Sequence, residues 1–254
     1  MTCLAGNFSR VSRVRGLGGL TRGCVLALGV AACSGPREVP VPRESVPAAT
    51  RAGSPPPTPE PAEAGNVVVF FGDSLTAGQG VDAHQAYPAV VGKRLEASAR
   101  PWKMINAGVN GDTTSTAAAR IDWVLRTQPT VLFVCLGAND GLRGIAPDET
   151  ERNLRQIIQR ARDAGVAVVL AGMQMPGNYG SEHAAAFAAV YPRLADAFDL
   201  PFVPFLLEGV ALEPSLNQAD GIHPNVAGHQ KIAAHVWPQL DAALREHERA
   251  GGGN

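Results

Sequence analysis

Three runs of consecutive apolar residues rich in Val, Ile, Leu and Phe stand out along the chain, at 67–71, 131–136 and 166–171. Short, unbroken apolar runs bounded by Gly, Asn and Asp predict strands buried on both faces. Weaker runs at 104–106 and 202–204 add two candidate strands. Between them, residues 87–97, 114–126, 148–163, 182–197 and 227–245 carry apolar positions at helical spacing. Thr150, Leu154, Ile157, Ile158 and Ala161 show one such stripe, with acids early and Arg160 and Arg162 late, as the helix dipole favours. Strand and helix in alternation predict an α/β domain over 66–247, a parallel sheet with helices on both faces.

The first 65 residues follow a different pattern. Residues 1–33 hold Arg10, Arg13, Arg15 and Arg22 and no acid, then a short apolar run ending in Val30-Ala31-Ala32-Cys33. A basic stretch, an apolar run too short to span a membrane and small residues behind it are the order of a secretory signal peptide. The last four residues resemble a bacterial lipobox, which implies that Cys33 carries a lipid and anchors the protein to a membrane; a soluble secreted protein is the alternative. Residues 34–65 contain nine prolines and no aromatic residue, so they read as a semi-rigid, extended spacer. Residues 248–254, with three consecutive glycines, read as a flexible tail.

Charge and cysteine content narrow the field. The whole chain has a formal charge of -1, and beyond residue 33 the balance is 18 basic to 23 acidic side chains. Nothing here points to a nucleic-acid partner. Cys135 is the one cysteine of the expected domain, inside an apolar run, where an inert core thiol is expected. His84, His183, His229, His235 and His247 show no zinc-ligand spacing; for His229 and His235, on the last predicted helix, a solvated or capping role is the default. Neither metal nor cofactor is expected. No feature speaks to oligomeric state, and a monomer is the default.

Sites in parallel α/β sheets form at the carboxyl ends of strands. The first strand runs into Gly72-Asp73-Ser74-Leu75-Thr76-Ala77-Gly78, which places a Ser just past a buried strand. The second leads to Asn106-Ala107-Gly108-Val109-Asn110-Gly111-Asp112-Thr113, and the third to Gly137-Ala138-Asn139-Asp140; each alone reads equally as a turn. Near the end stands Asp220-Gly221-Ile222-His223-Pro224, whose spacing lets the carboxylate reach the imidazole; an Asp–His pair alone is often structural or a metal half-site.

Taken together, in this order, the four clusters resemble the four sequence blocks of the SGNH family, also called GDSL lipases and esterases. The likeness spans roughly residues 66–240. Through Gly137-Ala138-Asn139-Asp140-Gly141-Leu142-Arg143-Gly144 and Pro176-Gly177-Asn178-Tyr179-Gly180 it is most similar to the arylesterase and thioesterase I (lysophospholipase L1) branch of periplasmic enzymes. The resemblance implies a flavodoxin-like three-layer α/β/α sandwich around a five-stranded parallel sheet. It also implies a serine hydrolase of carboxylic esters or thioesters, working on small-molecule or lipid acyl esters. In it Ser74, Asp220 and His223 form the triad, and Ser74, Gly111 and Asn139 the oxyanion hole. Asp73 is expected to be structural. Met173, Met175, Pro176 and Tyr179 are candidates to line an acyl groove, and 142–145, with Leu142 and Ile145, a flap over it. Acetylated glycan is an alternative substrate, and other classes are a flavin carrier with 72–80 cradling phosphate or a catalytically silent binding lipoprotein.

Overall fold

All six residues of β1, Val67–Gly72, are buried, and this strand lies inside the sheet with a neighbour on each side. The computed structural model describes residues 66–98, 102–175 and 180–251. The expected signal peptide with Cys33, the spacer, Pro176, Tyr179 and residues 252–254 lie outside the described residues. Five parallel strands, β1, β2 (Lys103–Gly108), β3 (Val131–Cys135), β4 (Ala167–Ala171) and β5 (Phe202–Val203), stand in the order β2-β1-β3-β4-β5. This is the flavodoxin-like order.

The two weak strand signals belong to the two edges. In β2 only Ala107 is buried, and β5 has just two residues, so neither shows the uninterrupted apolar run of a central strand. Two layers of helices cover the sheet. Helices α2 (Tyr87–Glu96) and α8 (Val226–Gly251) pack together, and α3 (Thr114–Leu125) packs on α5 (Pro147–Asp163), which in turn meets α7 (Val190–Phe198). The stripe expected on α5 is the face it buries.

Helices differ from expectation at four places. A single helix was expected over 182–197, but α6 (Ser181–Ala188) ends at Ala189 and α7 begins afresh. Pro192 accounts for the break, because an uninterrupted helix would set its ring against the carbonyl of Ala188; restarting at Val190 places the proline in the first turn, where its missing N–H is not needed. The last helix runs on to Gly251, with Glu248 accepting a hydrogen bond from the Trp102 indole at 3.2 Å. Short helices α1 (Ser74–Ala77) and α4 (Ala138–Leu142) occupy what read as loops.

From β1 the chain crosses to β2 on one side and then returns past β1 to β3 on the other. The connections leaving β1 and β3 therefore diverge, and the crevice outside their carboxyl ends is where such sheets bind ligands.

Candidate active site

Asp73, at the end of β1, turns the chain into α1: its Oδ1 accepts from the N–H of Leu75 at 3.0 Å and caps the helix. Ser74 is thereby the first helical residue, 8% exposed, at the mouth of the crevice. Two further contacts fix α1 against the edge strand. Asn106 donates from Nδ2 to the carbonyl of Thr76 at 2.8 Å, and Gly108 comes so close that a Cβ there would lie 2.2 Å from the nitrogen of Ala77.

His223 arrives from the other end of the chain. The Asp220 Oδ1 accepts the N–H groups of Ile222 and His223 at 2.9 and 3.0 Å, which closes the loop, while Oδ2 accepts from His223 Nδ1 at 2.7 Å. With Nδ1 donating to the carboxylate, Nε2 is the acceptor, and it lies 3.0 Å from Ser74 Oγ. The hydrogen bond from His223, then those from the two backbone N–H groups, hold the Asp220 carboxyl down at about 2. Gln218 ties this loop to the one after Ser74, donating to the carbonyls of Gln79 and Pro224 at 2.7 and 2.9 Å.

Three donors follow three strands: the N–H of Ser74 after β1, the N–H of Gly111 after β2 and the side-chain amide of Asn139 after β3. None has a hydrogen-bond acceptor among the described residues. Gly111 has φ +79°, a left-handed conformation that side-chain-bearing residues adopt only with strain. Asn139, half-buried, sits in the first turn of α4. Its neighbour Asp140 is fully buried and accepts the N–H of Thr114 at 2.8 Å, the Thr114 hydroxyl and the Thr150 hydroxyl at 3.3 Å, so it clamps the start of α3 to α4. Arg143 completes the link by donating from Nη2 to the Gly111 carbonyl at 3.0 Å. The chemistry this permits is proton transfer from a hydroxyl to an imidazole.

Asp73 is adjacent to Ser74 but takes no part in the line of hydrogen bonds from Asp220 to Ser74. It is fully buried, Oδ2 has no partner among the described residues, and desolvation raises its carboxyl to about 7. The Cys135 thiol is likewise fully buried and pushed up by desolvation. His229 is buried rather than solvated: its Nδ1 accepts the N–H of Tyr87, the first residue of α2, so it acts as a cap from a neighbouring element. Burial lowers its imidazole to about 4. His235 bonds the Phe205 carbonyl at 2.9 Å.

The expected groove residues separate. Met173 is buried in the core, against the expectation that it lines a groove, because it follows β4 directly and turns inward. Met175 is half-buried and packs on Gly141, two residues after Asn139. Leu142 is 40% exposed, and Ile145 is half-buried with its N–H bonded to the Asp140 carbonyl. The phosphate-cradle alternative does not fit, since Thr76 is fully buried with its hydroxyl on that of Tyr87 and Ser74 is turned to His223. Arg120, Asp112 and Thr114 were not singled out from sequence; a basic residue inside a mostly apolar helix was the available signal for Arg120.

A family model described as GDSL-like Lipase/Acylhydrolase family matches residues 70–231. Esterase TesA of Pseudomonas aeruginosa is 38% identical over 182 residues, 71% of this chain and 90% of that protein. Thioesterase 1/protease 1/lysophospholipase L1 of Escherichia coli K12 is 40% identical over 180 residues, 70% of this chain and 85% of that protein. A crystal structure of TesA superposes with a TM-score of 0.68 at 38% identity, covering 70% of this chain and 99% of the other.

Proposed function

We propose, for a chain that belongs to the GDSL-like lipase/acylhydrolase family, a serine hydrolase of carboxylic esters and thioesters in which Ser74 is the nucleophile. The single observation that carries this reading is the line of hydrogen bonds Asp220–His223–Ser74, at 2.7 and 3.0 Å, assembled from residues far apart in the chain. Ser74 Oγ attacks the acyl carbon as its proton passes to His223 Nε2. The carbonyl oxygen, now negative, is met by the N–H groups of Ser74 and Gly111 and the amide of Asn139. Collapse expels the alcohol or thiol, which takes the proton from His223, and leaves Ser74 acylated. Water, deprotonated by the same imidazole, then releases the acid and restores the enzyme. Asp220 stays ionised throughout, holding the ring and balancing the imidazolium.

The acyl part of the substrate is apolar in this reading. Val109, Leu142 and Ile222 are 44, 40 and 46% exposed, and each lies within three residues of Gly111, Asn139 or His223. Apolar side chains left in water beside a polar reaction centre suit an acyl chain. Tyr179 remains a proposed contact on the sequence motif alone. For location, the reading is export with a lipid on Cys33, supported by the residue order in 1–33.

Hydrolysis of p-nitrophenyl butyrate, followed at 400 nm or thereabouts, tests the proposal. The wild-type protein is expected to turn over and to be labelled by a fluorophosphonate, and Ser74→Ala to lose both while keeping its circular dichroism. A folded wild type inert toward esters across chain lengths, or a Ser74→Ala protein that still takes the label, removes the reading.

A further inference from the structure

We propose that Arg120 is the positioning residue of the oxyanion hole, holding the Gly111 N–H in register with Ser74; the inference rests on the hydrolase reading above. Arg120 projects from α3 beneath the ends of two strands. Its Nε donates to Asp112 Oδ2 at 2.6 Å, and its Nη2 donates to the carbonyls of Gly72 and Ala107 at 3.1 and 3.0 Å. Gly72 is the last residue of β1, two before Ser74, and Ala107 is near the end of β2. Asp112 follows Gly111 directly and is 7% exposed, with its second oxygen taking the Thr116 hydroxyl at 2.9 Å. One planar group thus measures off the nucleophile strand, the edge strand and the oxyanion loop against one another. The Phe71 ring lies 4.5 Å from the guanidinium carbon and fixes its plane.

The contacts are more than the ion pair alone would need. A charge pair with Asp112 could form in many geometries, but here the same planar group donates from Nε to Asp112 and from Nη2 to both strand-end carbonyls, which leaves it one position. The Gly72 carbonyl also accepts the N–H of Val109 at 3.0 Å, so the loop from 109 to 112 is tied to β1 at both ends, once through backbone and once through Arg120. Gly111 itself sits between those ties in a left-handed conformation, with no hydrogen bond from its own N–H among the described residues. What aims that N–H is the loop, which Arg120 ties to both strands through Asp112 while Arg143 holds the Gly111 carbonyl from the other side of the peptide unit.

Truncating either member of this buried pair leaves its partner without a hydrogen bond and risks the fold, so the test uses Arg120→Lys, which keeps the charge, and Asp112→Asn, which keeps an acceptor oxygen, with Asn139→Ala as the comparator that deletes a donor. Deleting an oxyanion donor costs about 10²- to 10³-fold in kcat, and misplacing one by about 1 Å up to about 10². Arg120→Lys and Asp112→Asn are expected to lower kcat for p-nitrophenyl butyrate by about 10- to 100-fold, with KM within about threefold and the pH–rate profile unmoved, at temperatures where both are fully folded. By 15N relaxation, the backbone order parameter of Gly111 is expected to fall in both variants while those of β1 and β3 do not. A kcat within twofold of wild type, a pH–rate profile that shifts, or an unchanged Gly111 order parameter overturns the proposal. The relaxation measurement decides it even if wild-type protein hydrolyses no ester, an outcome that would count against the hydrolase reading alone.

Discussion

Two buried titratable residues near Ser74 pull stability in opposite directions with pH. Asp73 holds its proton to about 7 because its carboxyl is fully desolvated, where an exposed carboxyl in the unfolded chain lets go near 3.8. The folded state therefore binds more protons between those values, and stability is lost as pH rises from about 4 to 7, by up to about 4 kcal/mol. His229 does the reverse. Burial keeps its ring neutral down to about 4 against 6.5 in the unfolded chain, so the unfolded state binds the proton first and stability is lost as pH falls through that window, by up to about 3 kcal/mol. Asp73→Asn keeps an oxygen for the Leu75 N–H and is expected to gain on wild type by about 1 to 3 kcal/mol in urea titrations as pH rises from 4 to 7.5. His229→Gln is expected to gain on wild type as pH falls across the same range. Wild-type and variant stability curves that run parallel would show that neither group titrates as its burial dictates.

At the scale of elements, the site depends on how closely β2 approaches α1. A methyl group at Gly108 would meet backbone atoms, the nitrogen of Ala77 at 2.2 Å and the carbonyl carbon of Thr76 at 2.7 Å, and backbone cannot swing aside as a side chain does. Gly108→Ala is therefore expected to shift α1, with a stability loss of about 1–3 kcal/mol or more and a fall in kcat well beyond that seen in KM, measured by thermal unfolding and p-nitrophenyl butyrate hydrolysis. A variant with wild-type kcat would mean that this contact does not place Ser74. The central strands β1, β3 and β4 were legible because burial on both faces writes an unbroken apolar run, and α5 because one buried face writes a stripe. Edge position hid most of β2 and β5, and Pro192 divides a stripe that is otherwise continuous over 182–197. Ser74, Asp220 and His223, which the structure joins by hydrogen bonds, were singled out together with Gly111 and Asn139 only through the family resemblance of the four clusters, since each cluster alone reads equally as a turn or a structural pair. Arg120 and Thr114 were not, since what they do is defined by partners such as Gly72 and Asp140, remote in sequence and met only after the sheet has formed.

For the whole molecule, the carboxyl ends of β1 and β3 gather the proposed chemistry at one end of the sheet, and the remaining question is what brings that end to its substrate. The core formed by residues 66–251 is built from its own five strands and eight α-helices, and no helix among the described residues is long and apolar enough to cross a membrane. Membrane attachment, in our proposal, falls to Cys33, and distance to residues 34–65. The body beyond residue 33 carries an excess of acids, which gives it no electrostatic attraction to an anionic leaflet and leaves the lipid as the anchoring force. Cells fed an alkyne-tagged fatty acid are expected to yield tagged mature protein, beginning at Cys33, in the membrane fraction. Cys33→Ala is expected to lose the tag and move to the soluble fraction with kcat for p-nitrophenyl butyrate unchanged. Tag retained in Cys33→Ala would place the lipid on another residue, and wild-type protein recovered untagged and soluble would leave export without an anchor as the surviving account of the first 33 residues.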